Sequence, residues 1–158
     1  MSNTYYLATD DWMNISFRLC IALLVGAIIG LDREIRRKPA GLRTHMLVSF
    51  GSAIFILIIM QTGGLQTSPD EVSRVIERDA ISRVIQGIAT GIGFLGAGEI
   101  VRQSSQESQR LEIHGLTSAA AIWVSAALGI AAGCGLWQLG LIASLLTFLV
   151  LNVFKRLE

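Results

Sequence analysis

Charged residues are scarce in this chain of 158 residues, where Asp, Glu, Lys and Arg together make up 16%. Soluble domains typically contain about 25% charged residues. Hydrophobic residues account for 52%, and the mean hydropathy is +0.57. The composition therefore excludes an ordinary soluble domain and predicts a protein of the lipid bilayer. Thirteen basic against twelve acidic residues give a net charge of +1, so no overall field attracts nucleic acid.

Cysteine is also scarce, and the two residues present, Cys20 and Cys134, lie in separate apolar stretches. They predict small buried side chains and exclude a CxxC metal or redox motif. The sequence has no Ser/His/Asp set with motif spacing, no HExxH and no P-loop lysine. We therefore expect neither an enzyme nor a bound cofactor. Residues 1–14 contain no Lys or Arg, unlike a signal peptide, so we expect the first apolar run to be retained.

Five apolar segments approach the length of about 20 residues that a helix needs to cross a hydrocarbon core about 30 Å thick. The sequence therefore predicts an all-α fold, a polytopic integral membrane helical bundle, forming one transmembrane domain after an external tail at 1–14. The predicted spans are 15–31, 44–60, 80–101, 116–136 and 138–154. The third span carries Arg83, Gln86, Thr90 and Glu99. A broken or re-entrant segment there stays open as an alternative to a continuous helix.

The loops between the spans differ in positive charge, and positive loops face the cytoplasm. One set of alternate loops holds nine basic residues and the other holds three. The nine are Arg33, Arg36, Arg37, Lys38, Arg43, Arg102, Arg110, Lys155 and Arg156, and the three are Arg74, Arg78 and Arg83. This count predicts an external N-terminus and a cytoplasmic C-terminus. We expect Arg18 near the outer end of the first span, where it can snorkel to the interface.

Small residues recur at four-residue spacing in the predicted spans, which places them on one face of each helix. In lipid such faces allow helix backbones to approach closely, and this drives association. The residues selected for packing are Gly26, Gly30, Gly87, Gly91, Gly93, Gly96, Gly98, Ser125, Gly129 and Gly133. We expect these faces to build the bundle of one chain, and spare faces to support a homo-oligomer, with a dimer favoured. The stretch GIGFLG matches GxGxxG, but no strand precedes it, so it is not a nucleotide-binding motif.

Charged groups within or beside a membrane span are costly, which makes each of them a candidate for function. Asp79 lies four residues before Arg83, the spacing of a local ion pair on a helix. Two interpretations of Glu99 stay open. One is an ion pair with Arg102, three residues later, and the other is a cation or proton site at the cytoplasmic end of the third span. Arg18 joins this group of candidates, with a purely interfacial role as the alternative.

The segment from Asp32 to His45 mixes acidic residues with a run of basic ones, and Pro39 turns the chain. Binding to anionic lipid headgroups is one interpretation. The other is an ordered salt-bridge network that serves as a lid or as a surface for a protein partner. Its members would be Asp32, Arg33, Glu34, Arg36 and Arg43. His45 and His114 fall at predicted cytoplasmic ends, but two histidines without a shared motif assign no metal site.

Three blocks of the chain read GAIIGLDREIRRKPAGLRTHMLVSFGSA, DAISRVIQGIATGIGFLGAGEI and HGLTSAAAIWVSAALGIAAGCG. In order and spacing they resemble the signature blocks of the MgtC/SapB family, over about residues 15–140. The resemblance implies a bacterial inner-membrane protein that supports adaptation to low magnesium through a regulatory or homeostatic role on other membrane proteins. The positions it carries over are Arg33, Ala40, Gly41, Leu42, Arg43, Thr44, Asp79, Arg83, Gly91, Gly93, Gly96, Gly98, Gly115, Leu116 and Thr117.

Three positions depart from the family pattern, with Asp32 in place of Glu, Ser118 in place of Thr and Glu99 in place of an apolar residue. Many relatives also carry a soluble C-terminal domain resembling an ACT fold, whereas this sequence ends at Glu158. Two functions follow. One is a membrane regulator that contacts another membrane protein or lipid through its small-residue faces and its basic loop. The other is an oligomeric channel or carrier for Mg²⁺ or another small cation or solute, lined by Glu99 and Arg83.

Overall fold

The computed structural model describes residues 11–63, 71–106 and 115–153. Within these ranges the chain forms five α-helices and no strand. They are α1 (Trp12–Ile35), α2 (Leu42–Gly63), α3 (Glu71–Gln106), α4 (Leu116–Gly133) and α5 (Trp137–Val153). The predicted all-α class and the count of five helices are confirmed.

Four of the described helices are long and apolar enough to cross a membrane, judged by length and composition. The apolar segments are Trp12–Ile35, Leu42–Thr62, Arg78–Arg102 and Leu116–Gly133. The described part of α5 is apolar but shorter, with 17 residues. At 1.5 Å per residue it is about 25 Å long, slightly less than a typical hydrocarbon core.

Helix α3 is continuous from Glu71 to Gln106, so the third segment is not broken. It begins nine residues before the predicted span, because hydropathy detects only the part of a helix that is apolar. Its five glycines do not interrupt it. In lipid, a backbone N–H or C=O that leaves the helix finds no other partner, so the helical hydrogen bonds are kept.

Two turns fix the ends of the helices that carry the site. After α1, Arg37 adopts φ 51° and the Lys38 N–H donates to the Arg33 carbonyl oxygen at 2.9 Å. This hydrogen bond closes the last turn of α1, and Pro39 follows it. After α4, Gly135 adopts φ 80°, a conformation that glycine reaches without strain. The short turn returns the chain directly into α5.

The centre of the bundle consists of α1, α2 and α4, which all contact one another. Helix α5 packs against α1 and α4, whereas α3 packs against α4 and, less extensively, α2. In the described part of the chain, α3 makes no contact with α1 or α5. Helices α3 and α5 therefore lie on different flanks of the bundle. The buried core residues are Ile21, Ala22, Val25, Ile29, Ala53, Ala121, Leu128 and Ala132.

Glycine allows α1 to approach the backbone of α2 closely. A Cβ atom at Gly26 would lie 2.7 Å from the His45 carbonyl oxygen, and one at Gly30 would lie 2.8 Å from the Leu42 Cα. Both distances are shorter than real Cβ contacts. Any larger residue at either position would therefore push the two helices apart.

The contact between α4 and α2 is equally close. A Cβ atom at Gly129 would overlap the Ser49 carbonyl group, and one at Gly133 would lie 3.0 Å from the Ala53 carbonyl oxygen. Ser125 is fully buried on the same helix, one turn before Gly129. The Ser49 hydroxyl donates to the Ala22 carbonyl oxygen of α1 at 2.7 Å. Ser49 therefore connects three helices, because its backbone contacts α4 at Gly129 and its side chain bonds to α1.

The glycines of α3 are placed differently from those of α1 and α4. Cβ atoms at Gly87, Gly91, Gly93 and Gly98 would meet nothing within 4 Å among the described residues. Gly96 is the exception, because a Cβ atom there would lie 3.3 Å from the Ala119 Cβ of α4. Most of the glycine set selected in the third span therefore faces away from the bundle.

Candidate functional site

The C-terminal ends of α1, α3 and α5 and the N-terminal ends of α2 and α4 lie at one end of the bundle. We call it the basic end, since its described residues include six basic and three acidic side chains. They are Arg33, Arg36, Arg37, Lys38, Arg43 and Arg102 against Asp32, Glu34 and Glu99. The loop count assigns this end to the cytoplasm, and that assignment stays a prediction.

Arg33 is the central buried charge of the basic end, with only 4% of the residue exposed. It lies on the face of α1 that also carries Ile29 and Gly30, so its side chain enters the bundle. Its Nη2 donates to the Ser118 hydroxyl at 2.7 Å, which links α1 to the first turn of α4. Its Nε has no hydrogen-bond partner in the described part of the chain.

Asp32 is buried beside Arg33 but pairs with a different residue. Its Oδ1 accepts a hydrogen bond from Arg36 Nε at 2.7 Å. The other end of the Arg36 guanidinium donates to the Asn152 side-chain oxygen on α5. The Asp32 Oδ2 has no partner among the described residues. One ion pair and one hydrogen bond therefore tie the end of α1 to α5, and in the described residues neither Arg33 nor Arg43 forms a salt bridge within this segment.

Glu34 and His45 hold the start of α2. The exposed Glu34 accepts a hydrogen bond from the Leu42 N–H at 3.0 Å, and Gly41 leaves room for its carboxylate. His45 is fully buried, and its Nδ1 lies 2.8 Å from the Gly41 carbonyl oxygen. Because a carbonyl only accepts, Nδ1 carries the proton and Nε2 is an acceptor. That Nε2 has no partner among the described residues.

Glu99 lies towards the end of α3 that belongs to the basic end, and its side chain is 11% exposed. Its carboxylate is 3.8 Å from Arg102 Nε, a loose ion pair one turn along the helix. No group of three or more His, Cys, Asp or Glu residues that could hold a metal ion occurs in the described ranges. The distance of 3.8 Å between Glu99 and Arg102 supports the local ion pair more directly than the cation site.

The remaining polar candidates lie outside the buried part of the basic end. Arg43, Thr44 and Thr117 are exposed at the first turns of α2 and α4. Asp79 and Arg83 form an exposed ion pair of 2.8 Å towards the other end of α3. His114 lies outside the described residues. Among the described residues of the predicted set, the structure therefore brings together Asp32, Arg33 and His45, and the exposed residues lie apart from them.

Arg18 lies towards the opposite end of the bundle, and 3% of it is exposed. Its Nε donates to the Asn14 side-chain oxygen and its Nη1 to the Gly133 carbonyl oxygen, both at 2.8 Å. Nη1 also lies 3.8 Å from the Met60 sulfur. The snorkelling position expected from the sequence is not observed, because the guanidinium binds the C-terminal end of α4, where the helix dipole favours a cation.

An open cleft of about 440 Å³ lies beside Arg18. Its lining includes Asp11, Phe17 and Trp137. Cys134 follows α4 in the adjoining turn and is a half-buried free thiol.

Several side chains of these clusters were not selected from the sequence as candidates for function. Ser118 was noted only as a departure from the family pattern, yet it binds Arg33. Asn152 could have been identified from the sequence, since it is a polar residue within the apolar fifth segment. Asn14 and Met60 could not, because their contacts with Arg18 depend on where α1 and α2 meet α4.

Long apolar helices, glycine-mediated helix contacts and buried charges with hydrogen bonds inside the bundle define a multi-pass α-helical membrane protein. The model of the MgtC family matches residues 19–158. The chain therefore belongs to the MgtC family, as the signature blocks indicated.

Three relatives are similar over most of this chain. SrpB of Synechococcus elongatus is 48% identical over 158 residues, which is 99% of this chain and 83% of SrpB. YhiD of Escherichia coli K12 is 39% identical over 144 residues, 89% of this chain and 60% of YhiD. MgtC of Salmonella typhimurium is 38% identical over 138 residues, 87% of this chain and 51% of that protein. No solved structure matches the chain.

Proposed function

We propose that this protein is a regulatory or homeostatic protein of the bacterial inner membrane that supports adaptation to low magnesium. In this proposal it is not an enzyme, its N-terminus is external and its C-terminus is cytoplasmic. It acts by contact with another membrane protein. The link to magnesium is supported by family membership and by the relative YhiD, which is described as a candidate magnesium transporter.

The observation that carries the proposal is the uncovered face of α3. Only 6% of the apolar part of α3 is buried, compared with 56% in α4. Gln86 and Thr90 are exposed on this helix within its apolar part. Gly87 and Gly91 are exposed beside them, and Cβ atoms at these positions would meet nothing within 4 Å among the described residues.

Hydrocarbon cannot satisfy the hydrogen bonding of this face. The Thr90 hydroxyl already donates to the Gln86 backbone carbonyl at 2.8 Å. The Gln86 side-chain amide still needs a hydrogen-bond partner, which hydrocarbon does not offer. Glycines next to a polar side chain favour a second helix that approaches closely and shares a hydrogen bond. We therefore infer that the partner presents a transmembrane helix with small residues and a polar side chain opposite Gln86.

A channel within one copy of the chain has less support. The polar clusters around Arg18 and Arg33 are separated by an apolar core, in which Ala22, Val25 and Ile29 are fully buried. A transport path through this core would carry no polar lining along α1. A path lined by α3 would require several copies, with Glu99 released from Arg102.

Replacement of Gly91 by leucine tests the proposal. The side chain meets no neighbour within the chain, so Gly91→Leu should leave the thermal stability of the purified protein unchanged. The same variant should fail to restore growth at low magnesium in a strain that lacks the gene. Gly51→Leu is the matched control on α2, where a Cβ atom also meets nothing within 4 Å, and it should restore growth.

Crosslinking and flux measurements separate the alternatives. A photocrosslinker at position 91 should capture a different membrane protein, whereas capture of the chain itself would indicate a homo-oligomer. Normal growth with Gly91→Leu would contradict a role for the α3 face. Proteoliposomes containing the purified protein should show no Mg²⁺ flux, and flux that is lost in Glu99→Gln would favour the channel or carrier instead.

A further inference from the structure

The open cleft of about 440 Å³ beside Arg18 is formed by the start of α1, the end of α4 and the start of α5. Its volume falls in the range of about 300–1,000 Å³ that is usual for small-molecule sites. The exposed Trp12 and Trp137 begin α1 and α5 at this end of the bundle. Tryptophan is enriched where a membrane protein meets the lipid headgroups. The cleft therefore opens at the level of the headgroups.

The lining of the cleft combines a carboxylate with two aromatic rings. Asp11 is the N-cap of α1, and its Oδ1 accepts a hydrogen bond from the Asn14 N–H at 3.1 Å. An ionised carboxylate has about four acceptor positions, so this bond leaves capacity for a ligand. Phe17 and Trp137 are about half-exposed in the same lining. Aromatic faces and a carboxylate both attract an ammonium group.

The same lining includes a positive charge, the Arg18 guanidinium. Its hydrogen bonds go to Asn14 and to the Gly133 carbonyl oxygen, so it acts on a ligand through its charge. Asp11 is close enough to attract it, and the two charges leave the cleft nearly neutral overall. A ligand that carries both signs matches this pair, with its ammonium towards Asp11 and its negative group towards Arg18. A purely anionic ligand is repelled by Asp11.

We propose that this cleft binds the headgroup of a zwitterionic phospholipid. A lipid is favoured over a soluble zwitterion, because the exposed apolar side chains of Met13 and Phe17 line the cleft and can contact the acyl chains. The bound headgroup contacts both α1 and α5 and stabilises their packing. The site is independent of the partner-binding face on α3, since α3 contacts neither α1 nor α5 in the described part of the chain.

Thermal unfolding of the full chain in a neutral, phosphate-free detergent tests the proposal. Phosphatidylethanolamine is titrated into the micelles and compared with phosphatidylglycerol of the same acyl chains, which keeps the phosphate and lacks the ammonium. A third titration uses soluble phosphoethanolamine, which has the same headgroup without acyl chains. Phosphatidylethanolamine should raise the unfolding temperature with saturation. The half-maximal concentration should be about tenfold higher for each of the other two compounds.

Two variants with matched controls make the test specific to the cleft. Asp11→Asn removes the charge but keeps a good N-cap, and it should raise the half-maximal concentration of phosphatidylethanolamine about tenfold. Asp79→Asn makes the same change at an exposed position on α3 and should keep the response. Trp137→Leu removes an aromatic face and should also weaken the response. Its control is Trp123→Leu, since Trp123 is an exposed tryptophan of α4 outside the lining.

Three results would overturn the proposal. One is an equal effect of phosphatidylethanolamine and phosphatidylglycerol on the unmodified protein, or no effect of either. Another is a response to soluble phosphoethanolamine at the same concentrations as to the lipid, which would make the ligand a soluble zwitterion. The last is a response in Asp11→Asn as strong as in the unmodified protein, or an equal loss in Asp79→Asn, since the lipid would then act outside the cleft.

Discussion

Gly129 lies where α4 crosses α2, and its replacement by alanine is expected to separate the two helices. The new Cβ would lie 2.7 Å from the Ser49 carbonyl carbon and 2.8 Å from the Ser49 Cα, against 3.4 Å for an ordinary contact. The backbone of α2 must therefore move by at least about 0.7 Å, and further to clear the Ser49 carbonyl oxygen, a gap large enough to weaken the dispersion contacts on either side. Backbone atoms cannot rotate away as the end of a flexible side chain can.

Two opposing effects set the change in unfolding free energy that Gly129→Ala causes. Overpacking a close-packed interior costs about 1–3 kcal/mol. Alanine gains about 1 kcal/mol over glycine from its helix propensity. The opposing atoms are backbone, so we expect the cost to fall in the upper part of its range. The net loss is then about 1–2 kcal/mol, which for a chain of this size lowers the unfolding temperature by about 2–8 °C.

Tryptophan fluorescence of the purified protein during heating in detergent measures this loss. Gly87→Ala is the matched control, because the same change on α3 meets nothing within 4 Å among the described residues. It should not lower the unfolding temperature. An unchanged unfolding temperature in Gly129→Ala, or an equal fall in both variants, would refute the assignment of Gly129 to a helix contact and of Gly87 to an open face.

Three further predictions follow from the described contacts. Arg18→Met removes the hydrogen bond to the Gly133 carbonyl of α4 and should destabilise the protein by about 3 kcal/mol. Arg83→Gln is its control, because it breaks only an exposed ion pair and should leave the unfolding temperature unchanged. Ser49→Ala loses the hydroxyl bond to α1 and should cost about 0.6 kcal/mol in the same heating experiment. For orientation, a membrane-impermeant thiol reagent added to intact cells should label Met13→Cys and not Lys38→Cys in a variant without native cysteines; the reverse pattern would invert the topology.

The helices could be predicted from the sequence because a membrane span depends on local composition. The close contacts were also accessible, since Gly26 and Gly30, like Gly129 and Gly133, follow the four-residue spacing of one helix face. The same spacing could not separate them from the glycines of α3. In lipid, a helix face against protein and a helix face against hydrocarbon are both apolar, so periodicity alone does not decide which one is buried.

The buried polar contacts depend on pairing between distant parts of the chain. Arg33 and Ser118 are 85 residues apart, and Arg18 and Gly133 are 115 residues apart. A charge near the end of a span is equally consistent with headgroup contact and with a bond to another helix. Only the crossing of α1 with α4 decides between the two, and no local pattern encodes that crossing.

The unequal apolar lengths of the outer helices also matter for the surrounding lipid. The candidate span in α3, Arg78–Arg102, has 25 residues and is about 37 Å long, with the charged Arg83 and Glu99 towards its two ends. In the described part of α5 the apolar helix has 16 residues and is about 24 Å long. Tilt and small local changes in bilayer thickness accommodate helices of unequal length, each at a fraction of a kcal/mol per Å of mismatch. A partner that covers α3 takes the place of lipid on that flank and removes this cost there, so the membrane itself adds to the drive for that contact.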